Sequence, residues 1–185
     1  MAFELSPSRA VAAACVLLPT SSAFAVDYLS ADQAARLMFP GADAFETREF
    51  TLDAAQLRQL DAQGLRTRSA RGSARIARKG GDVLGFVITD DVIGKFELIS
   101  YAVGVTPNGA IRQVEILAYR ESHGHEIRLL AWRRQFVGKT AAAPLRVGED
   151  IASISGATLS CQHVTDGVRR MLAMLALARR AGALP

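Results

Sequence analysis

The sequence predicts a single α+β domain: a curved antiparallel sheet with helices packed on one side of it, ending in a long C-terminal helix. Three observations predict it. Two strand-like runs, Phe96 to Val105 and Ile111 to Tyr119, flank the turn signal Pro107-Asn108-Gly109, a hairpin signature. Val164, Val168, Met171, Leu172 and Leu175 form an amphipathic stripe in the longest helical pattern, about Cys161 to Arg180. Between hairpin and helix lies the small-residue turn Ser155-Gly156-Ala157-Thr158-Leu159-Ser160. With 185 residues, 50% hydrophobic and 22% charged, the chain suits one domain with its own core.

Residues 1–25 read as an export signal. Arg9 supplies a thin positive start, Ala10 to Leu18 an apolar run, and Ala23-Phe24-Ala25 an A-x-A cleavage site. Nine apolar residues are too few to span a bilayer as a helix. Cleavage after Ala25 removes Cys15 and leaves Cys161 as the sole thiol, so no internal disulfide is expected. The mature chain is expected to be soluble, with N-terminal helices and first strands over 26–95 and the core over 96–185.

In chain order, Asp27 to Thr47 reads as a short helix and a turn. Ser30 is its cap, Gln33 the capping-box partner, and Ala34, Leu37 and Met38 its apolar face. Phe39-Pro40-Gly41 stops it. Phe50 to Gln63 reads as a second helix, with Asp53 as cap, Leu57 and Leu60 inward, and Gly64 after its end. Arg66 to Lys79 holds six cations and no acid. Its two readings are a patch for an anionic partner or cofactor and a solvated loop with an edge strand, where charge discourages aggregation. The second is favoured. No aromatics interleave with the cations, which argues against nucleic acid.

Val83 to Val92 and Phe96 to Val105 follow as strands, the second apolar on both faces. After the hairpin, Glu121-Ser122-His123-Gly124-His125-Glu126 forms a polar loop. Arg128 to Phe136 reads as one helix with Leu129, Leu130, Trp132 and Phe136 apolar, closed by Gly138-Lys139.

The small-residue turn has two readings. One is a plain helix start with Ser160 as N-cap. The other is an anion site, because free N–H groups and the helix dipole converge there. Elsewhere, His123 and His125 would need a third metal ligand from Glu126 or His163, with no spacing to support it, and a polar pocket lining is favoured. Cys161 and His163, two apart on a helix, point to different sides and do not form a nucleophile pair. No Walker loop, dinucleotide fingerprint or nucleophile elbow occurs.

Several stretches together resemble one family. Ser155-Gly156-Ala157-Thr158-Leu159-Ser160 is similar to the flavinylation motif of the FMN-binding domain, found in the C subunit of the sodium-pumping NADH:quinone reductase, the G subunit of the Rnf complex and smaller exported flavoproteins. Glu121-Ser122-His123-Gly124 resembles the family's Glu-Thr-Pro-Gly loop, and Gln135-Phe136-Val137-Gly138-Lys139 its Q-F-x-G-K segment. Phe39-Pro40-Gly41-Ala42 is similar to a segment of exported members. The resemblance runs from Phe96 to about Arg170. It departs from the pattern at Ala152, where the family usually has an acid that the flavin transferase is thought to read; the nearest acid is Asp150.

The resemblance implies covalent FMN, joined by a phosphoester to Thr158. Ser155, Gly156, Ala157 and Ser160 would form the phosphate turn, and Glu121, Ser122 and Gly124 the first ring contacts. It also implies a periplasmic electron carrier that cycles one or two electrons rather than a turnover enzyme. A flavin transferase using FAD and Mg²⁺ would be the maturation partner, and a membrane-bound protein the redox partner. Ala152 motivates the alternative, a module that binds FMN non-covalently, or none, and docks a membrane partner. A flavin reductase is a further rival, for which no nicotinamide site is visible.

Overall fold

The structure, a computed structural model, describes residues 26–185; the export signal and cleavage site expected from the sequence lie outside the described residues. Six antiparallel strands form one sheet. They are β1 (Val26–Asp27), β2 (Ala44–Thr51), β3 (Arg71–Lys79), β4 (Asp82–Ile93), β5 (Leu98–Val105) and β6 (Ile111–Tyr119), in the order β1-β6-β5-β4-β3-β2. The helices are α1 (Ala31–Met38), α2 (Ala54–Ala62), α3 (Leu130–Arg133) and α4 (Thr158–Arg180). The single α+β domain with its long C-terminal helix is therefore present as expected.

The local signals hold where they are local. Ser30 and Gln33 make the reciprocal capping box of α1, and Asp53 and Gln56 do the same for α2. The β5–β6 hairpin forms about Thr106–Ala110, with Val105 opposite Ile111. Every residue of the α4 stripe is buried.

The helices do not all lie on one side of the sheet. The alternation of β5 sends Ile99, Tyr101, Val103 and Val105 into a core with α4, α2 and the α3 region. Ala102 instead joins Val87, Ala77 and Leu117 in a second core under α1. On α1 it is Ala34, Ala35 and Met38 that are buried, while Leu37 faces solvent.

Two strands differ from expectation. Residues 44–51 form β2, and α2 begins only after the Asp53 cap. Its AFETREFT sequence hides the strand because a sheet-edge strand buries little, here only Phe50. Charged side chains along it suit an edge. β3 is then an interior strand rather than the edge, paired on both sides. Its arginines are partly neutralised: Arg75 pairs with Asp32, and Arg78 with Glu46 at 3.2 Å.

The Arg128–Phe136 helix is broken. Short 3-10 turns, His125–Arg128 and Arg134–Phe136, flank the single turn of α3, and Leu129 is extended at ψ 131°. Leu129 and Leu130 are exposed; Trp132 and Phe136 are buried, 5.1 Å apart edge-on. Arg133 ties α3 to β6 through buried Glu115 and the Val114 carbonyl. No helix among the described residues is long and apolar enough to cross a membrane.

Candidate functional site

The two short helices α1 and α2 are capped by side chains, but the 23-residue α4 is not. Its N-cap residue is Ala157, and the first intrahelical bond runs from Cys161 N–H to the Ala157 carbonyl at 2.9 Å. The N–H groups of Thr158, Leu159 and Ser160 precede any i→i−4 partner, so they point out of the helix end as free donors. Ser160 is therefore not the N-cap. Its hydroxyl is buried and lies 3.1 Å from Tyr119 Oη.

Beside this helix end lies a cavity of 450 Å³, bounded by Gly156 to Ser160, the loop residues Glu121, Ser122 and His123, and Lys95 and Phe96. The volume is in the range that holds a small cofactor. Of the eight residues singled out in the sequence, six line it: Gly156, Ala157, Thr158, Ser160, Glu121 and Ser122. Ser155 sits on the turn but off the wall. Gly124 lies behind it. At φ +89°, a Cβ there would stand 2.6 Å from Tyr119 Oη and 3.0 Å from the Ala157 Cβ, so Gly124 lets the loop press against the helix start. Another cavity of 440 Å³ lies at the far end of α4 and contains none of these residues.

The 121–124 loop is held against α4 by Tyr119, whose hydroxyl donates to the His123 carbonyl and bonds Ser160. Glu121 Oε1 accepts from the N–H groups of Phe96 (2.6 Å) and Glu97 (2.9 Å). Burial pushes the Glu121 pKa up, but backbone donation from Glu97, Phe96 and Lys95 outweighs it, and the carboxyl titrates below its ordinary range.

The segment leading into the turn is clamped as well. Ala152 donates its N–H to Gln135 Oε1 (2.7 Å) and accepts at its carbonyl from Trp132 Nε1 (2.8 Å). Lys139 pairs with Asp150 at 2.9 Å. Gln135 and Lys139, the ends of the Gln135–Lys139 stretch, thus fix the chain six to eight residues before Thr158. Asp150 also accepts from Arg146 N–H (2.9 Å) and Leu145 N–H (3.3 Å). Burial resists ionisation there too, yet the Arg146 N–H, Lys139 and the Leu145 N–H together lower the Asp150 pKa. Buried Leu145 is held at φ +46° in this loop, strain that its surroundings must sustain. Asp150 is thus engaged in its own turn and does not stand in for an acid at 152. The Ala152 side chain is exposed.

These lowered values set an acid limit. Each carboxylate contributes stability that is complete above its unfolded value, 4.5 for Glu121 and 3.8 for Asp150, and is lost as pH falls through the lower folded value. Urea midpoints measured from about pH 6 down to about pH 3 should fall less steeply in Glu121→Gln and Asp150→Asn than in wild type. An unchanged slope would show that ionised Glu121 and Asp150 do not hold these turns.

Lys95, Phe96 and Tyr119 were not anticipated as site residues. A large aromatic following Gly94 between two strands was the available signal, but the closeness of that turn to Thr158 depends on sheet registration. Cys161 is buried, and burial raises its pKa despite hydrogen bonds that act the other way, so the helix start does not make it a reactive thiolate. Among the described residues no group of three His, Cys, Asp or Glu side chains could hold a metal ion.

The FMN-binding domain family matches residues 94–173, which begin at the turn bearing Lys95 and Phe96 and include the whole cavity wall. The chain carries an FMN-binding domain. The crystal structure of Shewanella oneidensis NqrC is similar to it, with a TM-score of 0.53 and 16% identity over 78% of this chain and 88% of that one. At that identity the likeness establishes a shared fold. A comparison with curated protein sequences finds no match. Residues 26–93 lie outside the FMN-binding match, yet they supply β1, α1, β2, α2, β3 and all of β4.

Proposed function

We propose that the protein is an exported, periplasmic electron carrier whose FMN is joined through a phosphoester to Thr158. One observation carries this reading. Thr158 is exposed at the first residue of an uncapped helix, on the wall of a cavity it shares with the Glu121 loop. Phosphate on its hydroxyl would meet the free N–H groups of the first turn, where the helix dipole favours an anion by up to about 2 kcal/mol. Gly156, at φ +83°, turns the chain sharply just before that point.

Bound FMN supplies reversible one- or two-electron chemistry; the chain positions it. The residues of the turn hold the phosphate, and the Glu121–His123 segment bounds the space left for the ring. A tether at Thr158 makes ring binding intramolecular, so weak contacts suffice to seat it. Maturation by a flavin transferase would use FAD with Mg²⁺. It would exchange the FAD phosphoanhydride for the Thr158 ester and release AMP, the Thr158 hydroxyl proton passing to the AMP phosphate or solvent. The redox partner is a membrane-bound protein.

Mass spectrometry of the protein from its native host tests attachment and export together. The expected mass is that of residues 26–185 plus one FMN less one water. An unmodified mass, with no fluorescent band after denaturation and washing, would overturn the covalent reading.

Ala152 favours a second reading, in which FMN is bound without the ester or is absent while the module docks a membrane partner. The exposed position and clamped backbone of Ala152 mean that an aspartate there is displayed at no burial cost. On co-expression with a flavin transferase, Ala152→Asp should raise the fraction of chains carrying covalent FMN several-fold if wild type is incompletely loaded. Equal partial loading of the two would show that the acid is not what limits attachment.

A further inference from the structure

We propose that Phe96 is the aromatic wall against which the flavin ring packs, and that His163 and Glu121 act as positioning residues that hold it there. The proposal rests on FMN attachment at Thr158.

Phe96 is 75% exposed, the most exposed of the large hydrophobic side chains in the described residues. Such exposure on a mobile loop would mean little. Here the turn between β4 and β5 is fixed at several points. Gly94 N–H donates to the Glu97 carbonyl at 2.8 Å. Glu121 Oε1 receives the N–H groups of Phe96 and Glu97. His163 Nδ1 lies 2.6 Å from the Ile93 carbonyl and 3.0 Å from that of Gly94, so it carries the proton and donates to them. A Cβ on Gly94 would stand 2.6 Å from Glu121 Oε1, so a side chain there would push that oxygen away from the Phe96 and Glu97 N–H groups.

Both clamps come from elements that bear the attachment site. His163 is five residues beyond Thr158 on α4, and Glu121 opens the loop on the cavity wall. The position of Phe96 is therefore set relative to Thr158, with Phe96 and Thr158 lining one cavity. A planar aromatic ring system tethered at Thr158 matches a fixed, exposed phenyl group, because aromatic pairs gain from offset or edge contact beyond the area they bury. Lys95, with its ammonium 4.9 Å from the Phe96 ring centroid, adds a cation at the same edge.

Phe96→Trp converts the contact into a signal. An indole touching a photoexcited flavin donates an electron to it and regains it without emission. Native flavin fluorescence of the loaded Phe96→Trp protein should fall several-fold below that of wild type. It should stay unchanged in Leu37→Trp, whose position is exposed on α1 across the sheet. Denatured bands of equal brightness would establish equal loading. In the Phe96→Trp background, His163→Ala should restore native fluorescence, and His163→Gln, which keeps a donor, should restore less. Unquenched Phe96→Trp with equal denatured bands would overturn the ring-wall assignment alone. Unchanged quenching in His163→Ala would overturn the positioning role of His163. Absence of a denatured band from wild type would overturn the proposal together with the attachment it rests on.

Discussion

Thr158→Ala is expected to leave no covalent flavin on the chain. Protein co-expressed with a flavin transferase, then denatured and washed, should show a fluorescent band in wild type and none in the variant. Three hydroxyls lie in the turn, and the structure separates them. Ser160 is buried and bonded to Tyr119. Ser155 is exposed but off the cavity wall. Thr158 alone is both exposed and on the wall. Ser155→Ala and Ser160→Ala should therefore keep the band, and Thr158→Ser, which preserves a hydroxyl at the same backbone position, should keep it too. Since Thr158 is an exposed residue of the first helical turn, Thr158→Ala should change stability by no more than about 0.5 kcal/mol. Loss of the band then reports chemistry and not unfolding. A band that survives in Thr158→Ala and disappears in Ser155→Ala would move the attachment point.

Gly167→Ala destabilises the fold, and Tyr101→Phe restores it. Gly167 is buried in α4 where the helix crosses the sheet. A Cβ there would stand 2.0 Å from Tyr101 Oη, 3.0 Å from its Cζ and 3.1 Å from Val92 Cγ1. Tyr101 is fully buried on β5 and donates to Asp90 Oδ2 at 3.2 Å. Burial, and then the nearby Asp90 charge, push its pKa well up, so it stays a neutral donor. It cannot retreat without breaking that bond or displacing α4. Overpacking and the strained hydrogen bond, less the ~1 kcal/mol that alanine gains over glycine in a helix, leave a net loss of about 2 kcal/mol. In a chain of this size that lowers the Tm by about 4–8 °C. Tyr101→Phe removes the clashing oxygen while Asp90 keeps Arg170 at 2.5 Å. The double variant should recover most of the loss, a non-additivity expected only of groups in contact. A double variant no more stable than Gly167→Ala would show that the hydroxyl is not the obstacle.

Much of the site was legible because its signals are short. Gly156 before a helix, an exposed hydroxyl next to it and a polar loop after a hairpin are all local patterns. What could not be read was their mutual placement. Gly124 looks like a loop contact in sequence, and only the closeness of Ala157 and Tyr119 reveals it as a spacer. Glu121 looks like a ring contact, yet its Oε1 is committed to the Phe96 turn. The Gln135–Lys139 stretch looks like a helix end, and its two polar residues turn out to grip Ala152 and Asp150.

By itself the sequence determined the elements whose energetics are settled within a few residues. These are the capping boxes at Ser30 and Asp53, the hairpin turn at Pro107–Gly109 and the buried stripe of α4. It also determined that a helix starts just after the small-residue turn, since that turn and the onset of the stripe are adjacent in the chain; the structure moves that start from about Cys161 to Thr158. Only the tertiary structure decided that β2 is an edge and β3 is not, that α1 covers the second face, and that Phe96 and Thr158 share one cavity. Those outcomes depend on strand registration and on contacts between residues distant in the chain, which no local periodicity encodes.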